Sequence, residues 1–368
     1  MVTRAVLEMH LMSKLPAVPR HDQINAAWLS AALQNKGINA TVAEFGVEGV
    51  GTGQLGETKR FLLRYQGTPP AHAPRTLVGK FPSDNTVAAA SGRDLGFYRS
   101  EVMFYRELAH RAVIHTPKVY VAEYDADDGN FVLLLEDMAP ATTGDHMQGC
   151  SVDSARAALK EGAMLHAAFW NDAELERQPW LYVPPGAQGF YTTELLESSW
   201  DYFVKNYAAQ MDPTVIKVCD KFVACHAAWN APRAAPKCFS HNDFRVDNML
   251  FGGQRICVVD WQTSAYLGTG MDVAYFLGSA FDRDTRKAVE RDLLKEYLAE
   301  LHARGVQDYD FEHLMADYRH YSFAVLVVAI AATVIVKKTE RGDRLFMKMV
   351  ADGAYQAIDN DAVDALPV

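Results

Sequence analysis

The sequence predicts an α+β protein: a small five-stranded antiparallel portion carrying one helix, followed by a large, mainly helical portion. Three observations predict it. Before residue 136, apolar residues fall in short runs bounded by Gly, Pro, Asn and Asp, the pattern of strands and turns. From Val152 onward the apolar spacing becomes three and four, the pattern of helices. Between predicted helices lies one stretch that fits neither period, residues 239–251, followed by 256–262.

Composition sets the outer bounds. With 368 residues, 49% of them hydrophobic, the chain has room for two lobes and a large core, which excludes disorder. A formal charge of -10 argues against a nucleic-acid partner, whose affinity rests on neutralising phosphates. No dense Lys/Arg run supports a polybasic membrane patch either. The five cysteines form no C-x-x-C pair, so neither a disulfide framework nor a zinc site is expected, and a reducing cytoplasm fits them. The first residues scatter Arg4, Glu8, His10 and Lys14 and hold no signal-peptide block. Residues 323–336 are the one long apolar run, and about 14 residues is short of the roughly 20 that a spanning helix needs. A buried core helix is expected there.

In order, Asp22 is expected to cap a helix over residues 24–35, with Gly37 as its stop. Residues 41–50 and 59–65 read as strands, and the connection at 49–58 carries four glycines, Gly49, Gly51, Gly53 and Gly56. Glycine lets backbone N–H groups approach phosphate oxygens closely, but a mobile hairpin explains the same residues. No Gly-Lys-Ser/Thr follows, so it is not a Walker loop. Residues 76–81 form the next strand and end near Lys80, a lone base that either snorkels to water or grips nucleotide phosphates. A helix over 96–111 carries Glu101, commonplace alone but 21 residues after a strand lysine. Strands at 119–124 and 131–135 complete the five. The chain then loses β character at Glu136, Asp137 and Met138, marking residues 136–140 as a hinge whose backbone could meet an adenine edge.

A helix over 152–171 includes His166, expected as a packed core histidine. Residues 173–210 are rich in aromatics, which either form a helical core or wall an acceptor pocket. Helices follow at 213–229, 285–304, 311–338 and 342–358, and Asp272 is expected to cap a helix starting at Val273 and, in the context of the loop at 239–251, to brace that loop as well.

The irregular stretch carries the chemistry. Asp243 and Asn248 lie five positions apart, and Asp260 twelve beyond Asn248 at the end of an apolar strand. A hairpin between them would bring two acids and an amide to one point. One acid could then accept a hydroxyl proton while the amide and the second acid hold Mg²⁺ with a nucleotide, as phosphoryl transfer requires.

These pieces together resemble the aminoglycoside phosphotransferase and choline kinase superfamily, and most of all its ecdysteroid-kinase-like and phosphotransferase-domain branches. The resemblance rests on residues 241–251, on Val259-Asp260-Trp261-Gln262 and on residues 270–275. It implies a protein-kinase-like bilobal fold: residues 1–135 as nucleotide-binding lobe, 136–140 as hinge, and 141–368 as helical lobe with the catalytic loop and acceptor pocket. It also implies roles. Asp243 deprotonates the acceptor, Asn248 and Asp260 hold Mg²⁺, and Lys80, fixed by Glu101, grips ATP phosphates. Gly51, Gly53 and Gly56 form the flap, and Glu136, Asp137 and Met138 the adenine hinge. The partner implied is a small hydroxylated molecule, with no nucleic acid, membrane or obligatory protein partner.

Two departures bear on that expectation. Position 242 is Asn where the superfamily usually has Gly and protein kinases have Arg, and the segment after Asp260 is short for an activation loop. Both favour a small-molecule acceptor over a protein. Arg245 and Asp247 either pair with each other or reach the acceptor. The acidic chain could suit a cationic acceptor, but the aromatic segment favours a bulky, apolar, hydroxylated one. A catalytically inactive nucleotide-binding protein with a regulatory role is the competing expectation; intact Lys80, Asp243, Asn248 and Asp260 count against it.

Overall fold

The structure, a computed structural model, describes residues 18–51, 55–181, 191–231, 236–336 and 338–366. They divide into two compact units: residues 18–110 with 116–139, and residues 111–115 with 140–366.

The first unit is built on one antiparallel sheet. Its strands are β1 (Val42–Gly49), β2 (Gly56–Tyr65), β3 (Thr76–Pro82), β4 (Val119–Tyr124) and β5 (Phe131–Glu136), in the order β1-β2-β3-β5-β4. All five expected strands are present, within one to three residues at their ends. Alternation assigns the faces. Phe61, Leu77, Phe81, Val132 and Leu134 point into a core with Trp28, Leu29 and Leu33 of helix α1 (Ala26–Gln34). The cap of α1 differs from expectation. Asn25 accepts from Trp28 N at 3.0 Å, while Asp22 lies in a separate turn, His21–Gln23. Asn25 sits at the position where a side-chain oxygen can reach the free N–H groups of the first turn.

This unit also holds more helix than the sequence signalled. Helix α2 (Thr86–Asp94), capped by Asn85, precedes α3 (Phe97–Met103), which passes into a π turn at Phe104–Leu108. The single helix expected over 96–111 is therefore shorter and changes its winding partway. Such a π insertion displaces the helix register by one residue. Alternation places Lys80 on the sheet face opposite Phe81, directly across from Leu133. Phe131 shares that face with Leu133 and packs its ring 4.5 Å from Tyr98 of α3, so Lys80 and α3 lie on the same side of the sheet.

The second unit is mainly helical. It contains α4 (Val152–Ala168), α5 (Thr193–Tyr207), α6 (Pro213–Trp229), α7 (Gly270–Ala280), α8 (Arg283–Ala303), α9 (Phe311–Tyr321), α10 (Ala324–Ile335) and α11 (Glu340–Asp359). The helix expected over 311–338 is two helices. Ser322 donates its hydroxyl to the Tyr318 carbonyl at 2.9 Å, a back-bond that competes with the helix ladder and bends it. By length and composition alone 311–335 could cross a membrane, yet 67% of its apolar window is buried inside the fold. Helix α10 is apolar on all sides because most of it is buried, chiefly against α5 and α11.

Short strands interrupt these helices: β6 (Thr142–Thr143), β7 (Lys237–Ser240), β8 (Met249–Phe251), β9 (Cys257–Val258) and β10 (Ala265–Gly268). Strand β7 pairs with β10, and β8 lies between β6 and β9. The helix that follows β10 is held close to its neighbours. A Cβ at Gly278 of α7 would lie 2.0 Å from Gln356 Oε1 and 3.1 Å from Val325. Gln356 is not free to move aside, because its Nε2 donates to the Ala274 carbonyl at 2.9 Å and to Tyr318 at 3.0 Å. Gly278→Ala is therefore expected to cost about 1–3 kcal/mol through overpacking. Urea denaturation should show a lower midpoint at an unchanged slope.

Candidate active site

Strand β7 runs inward and ends at Ser240, paired with Ala265 of β10. The chain then forms a tight polar loop, a 3-10 turn at Val246–Asn248, and β8. Strand β9 returns in register, with Met249 opposite Val258. One further ladder bond, Val259 N to the Asn248 carbonyl at 3.0 Å, carries the pairing to the end of the hairpin. The hairpin thus sets Asn248 beside Val259 and Asp260, as the spacing predicts. The same turn folds Asn248 back onto Asp243. Its Nδ2 donates to Asp243 Oδ2 at 2.7 Å and to the Asp243 carbonyl at 2.9 Å. That commits the amide nitrogen and leaves Oδ1 as the end available to a cation.

Two loop residues adopt the left-handed conformation without being glycine: Asn242 at φ 63° and Asp260 at φ 71°. Asn tolerates this region better than most side chains, which explains how Asn242 fills a position whose backbone would suit Gly. The turn geometry is kept. Asp260 lies beyond β9, so it sits in a strained turn instead of ending the strand. Trp261, fully buried, packs its ring 4.7 Å from the His241 ring.

Asp272 fixes the loop from below. It occupies the first turn of α7, whose N-cap is Thr269, so it does not cap the helix as expected. Its Oδ2 accepts from His241 N at 2.7 Å and its Oδ1 from Asn242 N at 2.8 Å. A third contact, His166 Nε2 at 3.1 Å, completes the carboxylate, and Tyr297 holds the other ring nitrogen of His166 at 2.7 Å. Acceptance by a carboxylate assigns the proton to His166 Nε2 and makes Nδ1 the acceptor. His166 is thus a packed core histidine that braces Asp272. His241 ties the loop across its width. Its Nε2 meets the Val259 carbonyl at 2.9 Å, and its Nδ1 accepts from Asp243 N at 3.3 Å. The sequence assigned His241 no role; only its place in the motif hinted at one.

Arg245 and Asp247 pair at 2.5 Å, and Arg245 also reaches Asp243 at 3.2 Å. Burial works against the Arg245 charge, but Asp243 and Asp247 outweigh it and raise its pKa. Asp247 further accepts from His146 N at 3.2 Å. The His146 ring is fully buried, and neither of its nitrogens has a hydrogen-bond partner. Burial first, then Arg245 and Lys348, push its pKa down to about 3.

Magnesium suits this donor set. It keeps several waters and takes one or two protein oxygens beside phosphate oxygens, and Asn248 Oδ1 and the Asp260 carboxylate supply those. Beside them, the Arg245 guanidinium pairs with the carboxylates of Asp243 and Asp247. Among the described residues no three His, Cys, Asp or Glu side chains form a self-sufficient metal cage. Any ion here would depend on the ligand it accompanies.

In the first unit, Lys80 Nζ meets Glu101 Oε1 at 2.6 Å, with Glu101 almost wholly buried on α3. The 21-residue spacing therefore does bring the pair together. Gly51 and Gly56 lie at the two ends of the β1–β2 connection. Gly51 has φ 70°, a Cβ at Gly56 would come 3.0 Å from the Phe81 carbonyl, and Gly53 lies outside the described residues. The Asp137 side chain is occupied by Arg60, at 2.7 and 3.2 Å, a partner the sequence did not indicate. Burial opposes the Asp137 charge, but Arg60 and the Ala139 N–H outweigh it and lower its pKa. Only its backbone remains for a ligand. Glu136 is likewise engaged, its N–H and carboxylate both meeting the Lys118 backbone. Met138 is half-buried. Of the aromatic segment, Trp200, Phe203 and Tyr207 belong to the helical core, while Tyr191 lies near enough to Asp243 to feel its charge. Residues 182–190 lie outside the described residues.

The model of the ecdysteroid kinase-like family matches residues 59–307. The chain belongs to the ecdysteroid kinase-like family. Among curated proteins none matches. Solved structures share the fold at low identity. A Ralstonia eutropha protein provisionally assigned as an aminoglycoside phosphotransferase is 15% identical, with a TM-score of 0.53 over 94% of this chain and 99% of its own. Plasmodium vivax ethanolamine kinase is 12% identical, at 0.52 over 95% and 94%. Choline kinase from Cryptosporidium parvum is 13% identical, at 0.51 over 94% and 95%. The protein therefore has the bilobal kinase-like fold of the phosphotransferase superfamily.

Two outcomes follow for this ecdysteroid kinase-like chain. Asn242→Val should destabilise it by about 1–2 kcal/mol, the left-handed penalty of a branched residue, while Asn242→Gly stays close to the parent in thermal denaturation. Stability should also depend on pH through His146. The unfolded histidine binds its proton near 6.5 and the folded one only near 3. Stability is thus full above pH 7 and falls as pH drops from about 6.5, by roughly 1.4 kcal/mol per unit. Urea denaturation at pH 7.5 and 5.5 should show that loss, and His146→Gln should reduce it.

Proposed function

We propose that the protein transfers the γ-phosphoryl group of ATP, with Mg²⁺, to a hydroxyl group of a small organic molecule. The observation that carries this is the Asn248–Asp243 contact at 2.7 Å inside a loop whose return strand delivers Asp260. An acid and a cation-binding pair at one point are what an anionic phosphoryl group and a neutral hydroxyl require. Membership of a kinase-like family and the Lys80–Glu101 pair support the same reading.

In this mechanism Asp243 orients the acceptor hydroxyl and takes up its proton. Asn248 holds Asp243 in place through its nitrogen and, with Asp260, offers oxygen to the metal. Lys80, paired with Glu101, would neutralise nucleotide phosphate charge, and the backbone N–H groups at Gly51 and Gly56 would approach phosphate oxygens. The backbone of residues 136–138 would take the base. When bound, the Mg²⁺ complex supplies charge neutralisation on the phosphates. Asp272 keeps the loop in shape throughout.

For the acceptor we favour an uncharged, largely apolar hydroxylated molecule. Arg245 offsets much of the negative charge around Asp243, which weakens the case for a cationic one. An ecdysteroid is the first compound to test, with an aminoglycoside, choline and ethanolamine as contrasts. Purified protein with Mg·ATP and each compound is expected to release ADP and form a phosphorylated product with at least one. Asp243→Asn should cut that turnover about 10²- to 10⁴-fold, the usual worth of a general base, and leave ATP binding intact. Asp260→Ala should weaken Mg-dependent ATP binding at least about tenfold, since losing even an outer partner of a metal ligand costs that much. Unchanged nucleotide affinity in Asp260→Ala would remove the metal assignment, and full turnover in Asp243→Asn would remove the base.

A further inference from the structure

Tyr275 lies on α7 three residues after Asp272, with 1% of its surface exposed. This part of the helix runs along the loop. Asp272 holds the backbone of residues 241 and 242, and Phe276 packs its ring 5.7 Å from Phe244. The Tyr275 hydroxyl is sealed from solvent and meets no partner in strict hydrogen-bond geometry. Burial, and then the Asp243 carboxylate close by, push its pKa well up. Asp243 is thus near enough to act as its acceptor, but the present geometry does not complete the bond. An unmet buried hydroxyl costs about 1–3 kcal/mol, and one retained in a folded protein calls for a specific reason.

The surroundings of Asp243 supply that reason. Asn248 occupies Oδ2 at 2.7 Å, and Arg245 faces Oδ1 at 3.2 Å. Arg245 is drawn toward Asp247, its partner at 2.5 Å, so its hold on Asp243 is the weaker one. A carboxylate has about four acceptor positions. With only one oxygen firmly held, its plane can rock about that bond.

We propose that Tyr275 is a positioning residue for Asp243, its hydroxyl turning to donate to the carboxylate and fixing the plane in which Asp243 meets the acceptor. This rests on the reading of Asp243 as the base. The groups facing Asp243 are Arg245, Asp247 and Asn248 from the loop, Tyr275 from α7, and Tyr191 ahead of α5. Among them Tyr275 is the one whose donor is unused.

Tyr275→Phe removes only the O–H. The probe is the slow hydrolysis of Mg·ATP in water, read as ADP release, which needs no identified acceptor. Tyr275→Phe is expected to lower kcat about tenfold, the effect of losing one hydrogen bond to a charged group, at unchanged KM for ATP. The thermal midpoint should equal or exceed the parent's, because an unmet hydroxyl has gone. Asp243→Asn is measured beside it. If Asp243→Asn is inactive and Tyr275→Phe keeps the parent's kcat, the positioning role is overturned alone. If Tyr275→Phe instead loses several degrees of thermal stability with its activity, the residue is structural and the proposal is likewise overturned. Hydrolysis at the parent rate in Asp243→Asn overturns both readings.

Discussion

One buried carboxylate shapes the loop on which the proposed chemistry depends. Asp272 takes two successive backbone N–H groups, those of His241 and Asn242, and one imidazole N–H. Buried N–H groups without acceptors would cost about 1–3 kcal/mol each, so the chain turns where Asp272 requires it. Asp272 can serve because it lies in the first turn of α7, where free N–H groups and the helix dipole favour negative charge. It is itself fully sealed from water. Its position is inherited from the packing of α7 against α10 and α11, which the missing side chain at Gly278 makes possible.

The consequence is a loop held under strain. Asn242 and Asp260 both carry positive φ, the one at the loop's entry and the other at the end of its return strand. Such conformations cost of order 1–3 kcal/mol each and persist only where the surroundings impose them. Here the surroundings are visible: Asp272 imposes the first, and the Trp261 ring, locked against His241, accompanies the second. The loop brings Asn248 onto Asp243, its return strand sets Val259 against Asn248 just before Asp260, and Arg245 pairs with Asp243 and Asp247.

Much of this was legible in the sequence, for reasons tied to range. The five strands could be read because alternation and turn residues act over a few positions. Asp243, Asn248 and Asp260 could be grouped because a hairpin of known spacing returns on itself. Lys80 and Glu101 were paired across 21 residues by resemblance, and the geometry brings them to 2.6 Å. The failures also have physical causes. Asp272 is not the cap that an acid before an apolar run usually is; its other expected role, bracing the loop, holds, with partners 30 and 31 residues upstream. The break at Ser322 was hidden because a back-bonding hydroxyl leaves the apolar period intact. Arg60 was missed as the partner of Asp137 because 77 residues separate them.

The sequence by itself determined the fold class, the succession of five strands up to residue 136, and the grouping of the acids and amide in the loop, since these follow from local periodicity and close spacing. Tertiary structure alone decided what holds them. His241 and Tyr275 carry no local signal, and the partners of His166 and Asp272 are delivered by other elements. The physical reason is burial: a hydrogen bond across the core is worth having only once water is excluded, and no stretch of sequence excludes water on its own.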